Sequence, residues 1–434
     1  MNQITQEQIS RFHENFRQNA HARTLQAAMA KTPMEDLAFI PTNAAKLNGS
    51  FEIEIKTHGI TAQEKSGRCW LFAAMNILRE EVIKKTGLEE FELSGNYLAF
   101  FDKLEKANNA LEMAIRYSDL PYDDRMTEYI LHGFGDGGYW DMAADLVAKY
   151  GIVPKSAMPE SYQSEHTDTF MKKLNSLIRK DIMELSRFDG DKAALKEQML
   201  GEIFNAECIA FGEPVTAFDF DYTDKSGVYH SCRGLTPHSF KERFADIDLS
   251  DYVTVTNHPT PGMPMNYYYK FHYIGSMAES DVRNLNLSMD EMEALCIRQL
   301  SCGLPVWFGC DSGAYGDRNA GIWDPDSLDF EGLMGGAGLF MEKSDRLRFH
   351  ESSATHAMIL TGVNFDQDGT PNRWKIENSW GSEVGNKGYF VCSEKYFREY
   401  VYEAIIHRSL LTPDQRRLLE GEPAEIKPWE SDWL

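Results

Sequence analysis

The sequence predicts an α+β protein, on three observations. Through the first ~250 residues apolar side chains recur at helical spacing. Beyond that the texture changes to short apolar runs separated by turns: "LPVWFGC", "HAMILTGVNF", "RWKIENSW" and "KGYFVC". Helices gathered in one part of a chain and strands in another point to α+β rather than to alternating βαβ units. The composition, 42% hydrophobic, 12% aromatic and 26% charged, is that of a folded chain with a real core. At 434 residues the chain has room for several ordinary domains or for one unit with insertions. No internal repeat, low-complexity stretch or clear linker divides it.

In chain order, residues 1 to about 45 read as amphipathic helix, with Thr5 and Gln8 as a capping box ahead of Ile9, Phe12 and Phe16. A glycine-broken polar loop then turns at Cys69 into "CWLFAAMNILREEVIKK", in which Leu71, Met75, Leu78 and Val82 share one side while Arg79, Glu80, Lys84 and Lys85 lie elsewhere. That spacing predicts a helix with one buried face, ending at Gly87. A second long helical pattern, "LSGNYLAFFDKLEKANNALEMAIRY", follows. The next stretch, "HGFGDGGYWDMAADLVAKYG", formally matches a dinucleotide fingerprint through Gly133, Gly135 and Gly138. That fingerprint needs a preceding strand, whereas "RMTEYILHG" reads as helix. Residues from about 165 to 215 carry mixed charge at helical spacing. Among the strands, "FDQDGTPNRW" reads as an Asp-Gly turn between two of them; it lacks the full ligand set of a calcium loop.

The formal net charge of −23 argues against a general affinity for nucleic acid or an anionic membrane, both of which demand a positive surface. No apolar run approaches the ~20 residues needed to span a bilayer, and "MNQITQEQISRFHENFRQN" lacks a signal-peptide core, so a cytoplasmic protein is expected. The seven cysteines are scattered, with no C-x-x-C pair, which fits neither a disulfide framework nor a zinc site. No Gly-Lys dipeptide, G-x-S-x-G or H-E-x-x-H is present. No metal and no cofactor are expected.

Thiol chemistry remains. Cys69 occupies the first turn of its helix, where unpaired N–H groups and the helix dipole favour a thiolate. A nucleophilic thiol needs a base and a group that orients the base. His356 stands at the entrance to the apolar strand "HAMILTGVNF", and "RWKIENSWG" puts Trp374, Ile376 and Asn378 on one strand face. Asn378 is placed to accept the imidazole N–H, with Trp380 to shield that bond from water.

These blocks, Gln63 with "SGRCW", His356 in "THA" and Asn378 in "NSWG", resemble in order the signatures of papain-like cysteine peptidases. "LSGNYLAFFDKLEKAN", "DGGYWDMAADLVAKYGIVPKSAMPES" and "LPVWFGCDSGAYGDRNAGI" resemble the bleomycin hydrolase and aminopeptidase C branch, over nearly the whole chain. The resemblance implies a papain-like fold, a helical lobe plus a β-barrel-like lobe with helical insertions. The expected division is an N-terminal helical segment packing on the core (1–60), a helical lobe (61–165), a mainly helical insertion (166–250), a β-rich lobe (251–410) and a C-terminal arm (411–434). It implies peptide hydrolysis through an acyl-enzyme, with Cys69 as nucleophile, His356 as acid and base, Asn378 as orienter and Gln63 as oxyanion donor. Gly137 and Gly138 would line the cleft for substrate backbone. The Leu434 carboxylate, at the end of an arm that finishes on bulky residues, would pair with the substrate's α-amine and make the enzyme an aminopeptidase. An arm that falls short would make it an endopeptidase. A homo-hexamer acting on peptides is implied likewise. A silent scaffold or a nucleic-acid-binding role is disfavoured by the intact site residues and the acidic balance.

Overall fold

In the computed structural model, which describes residues 1–47 and 49–430, the textural switch in the sequence is a switch in architecture. Helices Cys69–Thr86, Gly95–Arg116, Trp140–Tyr150, Asp168–Arg187 and Lys192–Phe211 build one side, and a twelve-stranded sheet among the described residues builds the other. The helix ends follow local chemistry. Ser94 and Asp191 accept N–H groups of the first turns they precede. Gly87, at φ 69°, takes the left-handed position that closes the Cys69–Thr86 helix. "RMTEYILH" is helix Arg125–His132, so no strand aims the glycine cluster at a phosphate.

At the centre of the sheet, strands Val401–His407, Val306–Cys310, His356–Phe365, Pro371–Glu377 and Tyr389–Ser393 lie side by side, antiparallel. The "FDQDGTPNRW" segment is the turn joining His356–Phe365 to Pro371–Glu377, closed by Asp366 N–H on the Thr370 carbonyl. One sheet face buries Trp307, Ala357, Ile359 and Ile405 against the helices. The other buries Phe308, Met358, Ala404 and Ile406 under helices Met289–Ser301 and Glu394–Tyr400.

Two local expectations differ, and the mainly helical stretch 166–250 also carries a hairpin. The Cys69–Thr86 helix is buried on nearly every side, because it is sandwiched between strand His356–Phe365 and the helices Gly95–Arg116 and Trp140–Tyr150. Even Arg79 is 1% exposed; it donates to Glu80 and, at 2.8 Å, to Glu377 of the sheet. Within 166–250, Phe218–Thr223 and Tyr229–Leu235 form a hairpin, whose Phe220 packs on Phe91, Phe240 and Phe244. Helices Gln6–Gln18, with the Thr5–Gln8 capping box formed, and Ala20–Met29 carry no buried residue. Of the N-terminal segment, Ala38 is the first residue packed into the core.

Near the C-terminus, Ala424–Ile426 adds a parallel strand beside Tyr269–Phe271. Pro428 is buried, and Trp429 packs against the cluster of Met113, Met126 and Ile130. Leu434 lies outside the described residues.

The Arg79–Glu377 pair ties the central helix to the sheet inside the core. Removing one partner leaves an uncompensated buried charge, so Arg79→Met is expected to lower the unfolding free energy by ~3–5 kcal/mol. The measurement is the urea midpoint at constant slope; an unshifted midpoint contradicts this role.

Candidate active site

Arg68 ends the polar loop and begins the Cys69–Thr86 helix without a side-chain cap, so the first N–H groups are left for another acceptor. The Cys69 sulfur lies beside them: the backbone N–H groups of Ala357, Trp70 and Cys69 itself favour its thiolate. Arg68 is held from beneath by Glu160 at 3.0 Å and by the Ser66 hydroxyl. The Trp70 carbonyl accepts the Trp307 indole N–H at 2.9 Å, which fastens the same turn to the sheet.

Because Ala357 follows His356, the contact with Ala357 brings the imidazole to the helix end. His356 is 6% exposed. Its Nε2 lies 2.9 Å from Asn378 Oδ1. The Ser379 N–H also donates to that oxygen, at 2.7 Å, which fixes the amide's orientation. Nε2 therefore carries the hydrogen, and Nδ1 is the basic nitrogen. Trp380 stacks on the ring with centroids 4.7 Å apart, and the Arg318 guanidinium also lies over the indole, at 4.9 Å. Burial pushes the Cys69 thiol up, against the pull of the three N–H groups; Glu403 pushes it up further. Burial also pushes His356 down to about 4, against the Asn378 hydrogen bond. Burial thus penalises the charged form of each group taken alone.

Gln63 is fixed at both ends of its amide. Oε1 accepts the Ser379 hydroxyl at 2.7 Å, and Nε2 donates to the Ser66 carbonyl at 2.6 Å. One N–H of the amide remains, beside the turn that carries Cys69. The glycines follow. A Cβ at Gly138 would fall 2.6 Å from the Trp70 ring, so packing demands glycine there, whereas Gly137 opens on free space. Lys106 holds the loop by donating to the Gly135 and Gly137 carbonyls. Asp136 pairs with Lys103 at 2.7 Å and accepts the Gly67 N–H. Burial would raise this carboxyl, but Lys103 holds it down to about 2.

Cys69, His356, Asn378 and Gln63 thus come together at one helix end, with Gly137 and Gly138 on the loop packed against Trp70. Sequence reasoning missed Ser379, which orients Gln63, and the buried Arg68, Lys103 and Asp136. The residue types were visible, but a charge among polar neighbours reads as solvated. Among the described residues no group of His, Cys, Asp and Glu side chains could hold a metal ion. A buried thiol with a base, an orienter and directed N–H donors is equipped for nucleophilic attack on an acyl carbon.

Comparison with known proteins agrees with that chemistry. The description "Peptidase C1-like family" matches residues 3–432. The chain is 37% identical over 433 residues to aminopeptidase C of Listeria monocytogenes, covering 99% of this chain and 98% of that one. It is 38% identical over 441 residues to aminopeptidase G of Lactobacillus delbrueckii, covering 99% of each. Among solved structures, PepW from Lactobacillus rhamnosis HN001 superposes with a TM-score of 0.95 at 36% identity, over 99% of this chain and 98% of that one.

Ser379→Ala leaves the buried Gln63 carbonyl without its donor. It is expected to destabilise the protein by about 1–3 kcal/mol, read from urea unfolding. An unchanged midpoint would show that Gln63 is not held through Ser379.

Proposed function

Because the chain belongs to the Peptidase C1-like family of papain-like cysteine peptidases, we propose that it releases N-terminal residues from short peptides as an aminopeptidase. The observation that carries this reading is the His356–Asn378 bond set beside a helix end whose N–H groups converge on Cys69. In this reading the Cys69 thiolate attacks the scissile carbonyl carbon. The oxyanion is stabilised by the free N–H of the Gln63 amide and by the Cys69 N–H. The His356 imidazolium gives its proton to the departing amine, leaving a thioester on Cys69. His356 then takes a proton from water, the hydroxide adds to the thioester carbonyl, and the carboxylic acid and the thiol are released. Asn378 keeps the imidazole in the tautomer that leaves Nδ1 for these transfers.

The aminopeptidase reading is supported by the full-length relatives named aminopeptidase C and G. It assigns the substrate's α-amine to the Leu434 carboxylate, at the end of an arm docked as far as Trp429. Gly137, open on its side-chain face, suits a peptide backbone running along the loop. A homo-hexamer is part of the proposal, supported by Ile9, Phe12 and Phe16, which form an exposed apolar face on Gln6–Gln18. A cytoplasmic setting is part of it too, since it would keep the seven free thiols reduced.

Matched peptides with free and acetylated N-termini test the specificity. The free ones are expected to be cleaved at their first bond, the acetylated ones far more slowly; equal internal cleavage of both would make the enzyme an endopeptidase. Cys69→Ala is expected to abolish turnover with the fold intact, and Gln63→Ala to reduce kcat by ~10²–10³. The pH profile of kcat/KM is expected to be bell-shaped, with the acidic limb marking formation of the thiolate–imidazolium pair and the alkaline limb its loss of the imidazolium proton. A rate that climbs steadily with pH contradicts the pair.

A further inference from the structure

A cavity of about 860 Å³ flanks the C-terminal half of the Cys69–Thr86 helix and reaches Gly87. With a rise of about 1.5 Å per residue, Gly87 stands roughly 27 Å along the axis from Cys69, so this cavity is not the catalytic cleft. Its floor is apolar, made by Ile77 and Ile83 of the helix, Ile247 and the Tyr252 ring. Both signs of charge line it as well. Among the described residues, the Lys56 and Lys225 ammonium groups and the Glu89 carboxylate make no ion pair or side-chain hydrogen bond, and Glu81 meets only Lys84, at 3.4 Å. Glu80 is already committed to Arg79 and His58. Lys225 is fixed at the helix end, its N–H donating to the Gly87 carbonyl at 2.9 Å. Tyr252 is 7% exposed, and its hydroxyl has no hydrogen-bond partner among the described residues. Burial pushes that hydroxyl up and Glu81 adds to the rise, so it remains a donor.

A hydroxyl on the floor of an apolar cavity is unfavourable without an acceptor. The same cavity supplies apolar surface, unpaired ammonium groups and carboxylates. A ligand that uses all three carries one anion, one cation and an apolar side chain, and the volume is in the range that holds small molecules. Neither a plain anion nor a plain cation uses both sets of charges. We propose that this cavity is a binding site for an apolar amino-acid zwitterion, either a free amino acid or a short peptide with both ends charged. Its carboxylate is taken by Lys56, Lys225 and the Tyr252 hydroxyl, its ammonium by Glu81 and Glu89, and its side chain by Ile77, Ile83 and Ile247. The site stands apart from Cys69 and does not depend on the peptidase reading; the same chemistry belongs to the products of that reaction.

Cys302 lines the same cavity with an exposed thiol, which makes it a reporter. The test uses the full chain carrying Cys69→Ala, so that no peptide is turned over. It follows alkylation of Cys302 by iodoacetamide, by mass spectrometry, against that of the half-buried Cys208 outside the cavity. Leucine and leucyl-leucine are the probes, with N-acetylleucine lacking the ammonium and leucinamide lacking the carboxylate. The Cys302 rate is expected to fall at least about fivefold as a zwitterion approaches saturation, with Cys208 unchanged. Protection by leucine alone identifies a free amino acid as the ligand; protection by leucyl-leucine alone identifies a peptide. Neither analogue is expected to protect at the same concentration. The double variant Lys56→Ala, Lys225→Ala, which alters two exposed side chains, is expected to lose the protection, read as the ratio of Cys302 rates with and without ligand. Cys302 rates that stay constant with both zwitterions overturn the proposal. So does equal protection by either analogue, or protection that survives the double variant.

Discussion

The site depends on one contact between the two kinds of structure: the first turn of the Cys69–Thr86 helix meets the strand that starts at His356, and the Ala357 N–H reaches the Cys69 sulfur. A helix end in water would have its free N–H groups hydrated. Here the N–H groups of Ala357 and the helix end favour negative charge on a sulfur atom whose burial penalises that charge at once. The imidazole, pushed down by the same burial, meets the complementary problem. Thiol and base are therefore linked by more than proximity. In the proposed mechanism, transfer of a proton between them creates two charges that each make the other tolerable.

Three buried charges stand next to site residues in the sequence. Arg68 precedes Cys69, Asp136 precedes Gly137 and Glu377 precedes Asn378. Each is paired in the core, with Glu160, Lys103 and Arg79 respectively. Buried ion pairs are weak sources of net stability, since desolvation offsets most of their attraction. Their geometry is demanding, however, and a strand or loop that satisfies such a pair has little freedom in where it places the next residue. The Gln63 amide is fixed in the same way by Ser379, itself next to Asn378. Cys69, Gly137, Asn378 and Gln63 are thus held through residues whose own partners lie across the fold.

Much of this was legible in the sequence because it rests on local rules. The stop at Gly87, the capping box of Thr5 and Gln8, the strands from Val306 onward and the shared face of Trp374, Ile376 and Asn378 all follow from spacing and turn chemistry. The order of the blocks around Cys69, His356 and Asn378 carried the rest of the site. What was missed is non-local. Arg79 sits on the helix where a solvated charge would sit, and only the facing Glu377 explains its burial. The hairpin at Phe218–Leu235 had a period-2 signal in Phe218, Phe220 and Tyr222, obscured by the helices on either side.

The central claim is that Cys69 and His356 ionise as a pair held by this architecture. The most direct measurement is the rate of Cys69 alkylation by iodoacetamide, followed by mass spectrometry from pH 5 upward in wild type and in His356→Ala. The account predicts rapid modification of Cys69 in wild type at the acidic end, where an ordinary thiol is inert, and a shift to the steep pH dependence of a free thiol when the imidazole is removed. Identical profiles in the two proteins would contradict it.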